Sequence, residues 1–118
     1  MIGLEEGFEH HSGDSRTLEV TINDEVGAVV DISSATLTWG LSKKSADTTT
    51  PMGAALITKT IGSGITITDG PNGRCDVAID PADTDALAGD FYHELEMVLT
   101  GETSTVLYGA VTILKDLV

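Results

Sequence analysis

Two-residue alternation of apolar and polar side chains is the feature that most limits what this chain can become. In "RTLEVTI", residues 16–22, Leu18, Val20 and Ile22 share one parity while Thr17, Glu19 and Thr21 share the other. Successive side chains of a strand point to opposite faces, so such a stretch lays one face on a core and the other toward water. "ATLTWGLS" repeats the pattern, with Ala35, Leu37, Trp39 and Leu41 against Thr36, Thr38, Gly40 and Ser42. "YHELEMVL" places His93, Leu95, Met97 and Leu99 opposite Tyr92, Glu94 and Glu96. "TVLYGAVTIL" is apolar on both parities, which marks a central or covered strand.

Turn chemistry punctuates these runs. "NDEVG", "DGPNG" and "TGETS" supply Asn, Asp and Gly where positive φ is needed, and the last two each join a pair of strands into a hairpin. "AALITKTI" has strand composition, whereas "KKSADTTTPMG", residues 43–53, is polar, threonine-rich and broken by Pro51, and reads as a long exposed loop. Residues 1–15 show neither period and read as a flexible N-terminal arm. The expected fold is all-β: an antiparallel β-sandwich of about seven strands over residues 16–118. At 118 residues the chain fits one domain.

Composition narrows the function classes. Six Lys and Arg stand against nineteen Asp and Glu, a net charge of -13, so the surface repels phosphate backbones and nucleic acid is not an expected partner. Basic surfaces and divalent cations are the electrostatic complement of such a field. Cys75 is the one cysteine, which rules out an intrachain disulfide or a cysteine-built zinc site. Glu5 and Glu6 sit where a secretory leader carries lysine or arginine, and no run approaches the ~18 apolar residues of a membrane span. Neither a leader nor a membrane is expected.

The residues that carry chemistry elsewhere have plainer readings here. Asp80, Asp83, Asp85 and Asp90 offer calcium oxygen ligands, but their spacing is not that of an EF-hand loop. Pro81 opening a helical turn, an aspartate capping it and Gly89 releasing the chain accounts for the same residues. Glu94 and Glu96 read as a solvated face, His93 as a core or rim histidine, and His10 and His11 as arm residues. Cys75 and Trp39 read as packed side chains. No nucleophile elbow and no phosphate-cradling glycine loop occurs. No catalytic residue, cofactor or metal site is assigned.

The order "RTLEVTINDEVGAVVDISSATLTWGLSKK", "LITKTIGSGITITDGPNGRCDVAIDPADTDALAGDFYHELEMVL" and "VLYGAVTIL" resembles the small immunoglobulin-like virion module of tailed bacteriophages, as in the N-terminal domain of phage baseplate upper proteins. The resemblance covers about residues 16–114. It implies a non-enzymatic virion protein of tail, baseplate, connector or capsid that binds other virion proteins and copies of itself. Made in the bacterial host cytoplasm, it would end on the virion. Phe91 departs from the tyrosine of an immunoglobulin tyrosine corner. Ile2, Leu4 and Phe8 are the expected partner-binding residues, left free on the arm to find a groove on another chain. The alternative is an independent carbohydrate- or cell-surface-binding module using the loop 43–53 with Trp39 or Tyr92. A calcium-dependent adhesion module is a third reading.

Overall fold

The computed structural model describes residues 3–46, 51–115 and 117, and the chain within them is all-β. Nine strands appear in chain order: β1 (Leu4–Glu5), β2 (Phe8–His11), β3 (Arg16–Thr21), β4 (Thr36–Lys44), β5 (Pro51–Ile61), β6 (Gly64–Asp69), β7 (Arg74–Ile79), β8 (Gly89–Leu99) and β9 (Glu102–Leu114). One helical turn, α1 (Pro81–Thr84), precedes β8. The expected hairpins form: β6 pairs antiparallel with β7 and β8 with β9.

The strands make one hydrogen-bonded sheet in the order β1, β9, β8, β4, β5, β6, β7, β3, with β2 also on β9. The link between its two halves is the β5–β6 pairing, limited to Thr60↔Gly64 and Ile61↔Ile65. Around that link the sheet curls until its halves face each other across a single core. Leu37, Trp39, Leu41, Leu95 and Met97 enter this core from one half, and Ile65, Cys75 and Val77 from the other. These are the parities that alternation places inward.

Three expectations are corrected. The sheet is mixed, because β1 and β2 run parallel to β9 and β6 runs parallel to β5. The described part of residues 1–15 is not a free arm. Leu4 pairs with Leu107 and Phe8 with Val111, the Glu6 N–H donates to the Tyr108 carbonyl (2.7 Å), and the Ser12 N–H donates to the Leu114 carbonyl (2.8 Å). Two glycines permit this approach: a Cβ at Gly7 would stand 2.5 Å from the Ala110 carbonyl oxygen, and one at Gly109 would stand 2.5 Å from that of Glu6. Finally, the segment 43–53 is not all loop. Lys43 pairs with Met52 and Lys44 with Pro51, since a proline is tolerated as the first residue of an edge strand. Residues 47–50 of that expected loop lie outside the described residues.

Candidate functional site

The most elaborated polar arrangement is built on His93, in the middle of β8. Its odd parity turns it inward, where it is fully buried between Trp39 of β4 and the segment joining β1 to β2. The Trp39 indole N–H donates to His93 Nδ1 at 3.1 Å, and His93 Nε2 lies 2.6 Å from the Glu6 carbonyl oxygen. An indole nitrogen only donates and a carbonyl only accepts, so the ring is fixed as the neutral Nε2–H tautomer. Burial holds its pKa below the usual histidine value, against the opposing pull of the Glu6 carbonyl and charge. This histidine is a strut between a core tryptophan and the N-terminal strand.

Phe8 completes the arrangement. Its ring meets His93 edge-on at 5.1 Å, and the Arg16 guanidinium stacks over its other side at 4.5 Å. Arg16 also donates to the Glu9 carbonyl at 2.7 Å, bridging β2 and β3. A cleft of ≈ 280 Å³ opens along this seam, lined by Phe8, Arg16, Leu18, Val20, His93 and Leu107 among others. Its walls carry a guanidinium and a neutral imidazole committed to internal bonds.

The acidic turn takes the cap-and-turn form. Asp83 of α1 accepts from the Asp80 N–H at 2.7 Å, and its Oδ2 lies 2.8 Å from Lys59 Nζ, with Asp80 Oδ2 3.6 Å from the same ammonium. Burial works against charge on both partners, yet the mutual attraction prevails, so the Asp83 pKa is lowered and the Lys59 pKa raised. Asp85 and Asp90 stand exposed outside this cluster. Among the described residues, no group of three or more His, Cys, Asp and Glu side chains could hold a metal ion.

The remaining candidates separate. Ile2 lies outside the described residues; Phe8 packs against the core; Leu4, 58% exposed, is the described member of that trio left facing solvent. Trp39 is 0% exposed and presents no face for a sugar to stack on. The face bearing Glu94 and Glu96 is less solvated than expected: both are half-buried, and Tyr92 is buried with its hydroxyl donating to Glu94 at 2.8 Å. Burial, then the Glu94 bond and the charges of Glu94 and Tyr108, raise the Tyr92 pKa. His10 is buried, with Nε2 3.1 Å from the Asp14 carbonyl oxygen. Burial, with the Asp76 charge adding to it, pushes the Cys75 thiol up to about 11, which leaves it protonated near neutral pH.

One surface was not foreseen. Among the described residues, β5 is paired on its outer side at Thr60 and Ile61, and from Pro51 to Lys59 no strand lies beside that edge, which bulges at residues 53–56. Met52 and Leu56, 53% and 48% exposed, lie along it. The uncharged run "PMGAALIT" was the available signal, since an edge strand without charge is the kind that pairs with another chain.

No protein-family model matches the chain, and no curated protein matches it. Among solved structures, Tim-1 aligns over 99% of this chain and 98% of its own, at 13% identity and a TM-score of 0.43. The NK cell receptor Nkp44 aligns over 96% and 99%, at 15% identity and 0.42. Tim-4, solved in complex with phosphatidylserine, aligns over 94% and 100%, at 10% identity and 0.39.

Proposed function

We propose that the chain is a non-enzymatic immunoglobulin-like sandwich that serves as a bacteriophage virion structural or adaptor protein, acting by protein–protein assembly. Strand connectivity supports the fold half of this reading. With β3 to β9 taken as strands B, C, C′, D, E, F and G, one half of the sheet is G, F, C, C′ and the other is D, E, B, the distribution of a variable-type immunoglobulin domain. Trp39 then lies on strand C. His93 lies on strand F two residues after Phe91, beside the tryptophan, where antibody domains carry a cystine. A hydrogen-bonded histidine in that place suits a chain with one cysteine.

The observation that carries the assembly half is the open outer edge of β5, an uncharged strand edge on a chain of net charge -13. Soluble monomers blunt such edges with charge, bulges or cover; this one has a bulge at residues 53–56 but, among the described residues, no acidic side chain and no covering strand, and an edge left open is a template for another chain. The virion assignment is drawn from the sequence resemblance over residues 16–114. Its test is direct: the chain should be found in purified particles at a fixed ratio to their major proteins, and a knockout of its gene should leave particles incomplete. Complete, infectious particles lacking the chain would contradict the proposal.

A further inference from the structure

We infer that the outer edge of β5 is a self-association site, where β5 of a second copy adds antiparallel about a two-fold axis and merges two sheets into one. The inference rests on the assembly reading and names its partner. Between Pro51 and Lys59 the outward backbone groups have no strand beside them among the described residues, while the inner side is paired with β4 at Pro51, Met52 and from Ile57 onward, with residues 53–56 bulging between and Gly53 at φ 84°. The stretches on either side of the bulge, Pro51–Met52 and Ile57–Lys59, are the ones extended enough to carry new ladder bonds.

The chemistry of the edge selects the occupant. No acidic residue occurs between Asp47 and Asp69, although nineteen are spread over the rest of the chain. The nearest basic groups on the strand and its neighbour are Lys59, drawn back into its pair with Asp83, and Lys43 and Lys44, opposite Met52 and Pro51. Two copies of net charge -13 meeting elsewhere set acid against acid; along β5 they meet over methionine, alanine, leucine and threonine. A basic partner would be drawn to the acidic remainder instead. Antiparallel pairing centred near Ala55 lays the same uncharged residues on both sides of the axis, and an isologous contact of this kind closes at the dimer.

Sedimentation velocity of the full chain over a range of concentrations tests this. The expected result is a shift from 12.3 kDa toward twice that mass. Raising salt from about 50 to about 500 mM should tighten association several-fold, because screening weakens the repulsion between the copies. The double variant Met52→Lys/Leu56→Lys, and separately Thr58→Lys, all at exposed positions, should weaken association at least tenfold with an unchanged circular dichroism spectrum. A chain monomeric at every concentration, an association weakened by salt, or one untouched by both variants overturns the inference. Monomers that still enter particles would remove self-pairing and keep the assembly reading. A salt-strengthened, variant-sensitive dimer absent from particles would do the reverse.

Discussion

A single imidazole shows how far one residue's place can be read ahead of its role. Alternation puts His93 on the core parity of its strand, but its partners are a tryptophan 54 positions away and a carbonyl at the other end of the chain, which no local pattern reveals. Because burial depresses its pKa in the folded state, the unfolded chain takes up the proton first. Its stabilising contribution is therefore complete above the ordinary histidine pKa of about 6.5, and is lost as pH falls through the lower folded value. Denaturant midpoints followed by Trp39 fluorescence should fall across that window. The variant His93→Leu should flatten this dependence and lower stability at neutral pH by about 1–3 kcal/mol, since it strands the Trp39 N–H and the Glu6 carbonyl. Retention of the full pH dependence in that variant would contradict the assigned strut.

Among elements, β3, β4 and β8 were legible because each is long enough to show its period, and β9 because a run of β-branched and apolar residues follows a turn. The N-terminal strands were not. Two and four residues are too few for alternation to register, and their parallel partner is the last strand of the chain. Gly7 and Gly109 were the available clue, and their contact makes a prediction. Gly109→Ala would force a Cβ against the Glu6 carbonyl, so it should free residues 4–11 for hydrogen exchange while β3 and β7 keep their protection. Overpacking of this kind costs about 1–3 kcal/mol. The Lys59–Asp83 pair joins β5 to α1 in a comparable way. Asp83→Ala leaves a largely covered ammonium with the more distant Asp80, and should cost about 1–3 kcal/mol in chemical denaturation. As the Asp83 pKa is lowered on folding, its contribution is present above about 3.9 and disappears as pH falls below that, a window separate from that of His93.

Over the whole molecule, composition foretold the field but not its gap. Net charge identifies the chain as self-repelling, and its thermal midpoint should rise with salt as that repulsion is screened. What composition hides is that the acid-free stretch becomes an exposed strand edge, because Pro51 reads as a breaker until its pairing with Lys44 is seen. The all-β class was legible from alternation, while the parallel pairings and the curl depend on contacts between distant parts of the chain. The measurement that bears most directly on assembly through β5 is peptide-resolved hydrogen exchange at low and high protein concentration. Amides within residues 51–59 should gain protection as concentration rises while those of β3, the edge strand at one end of the sheet, stay unchanged; equal exchange of residues 51–59 at both concentrations would contradict the account.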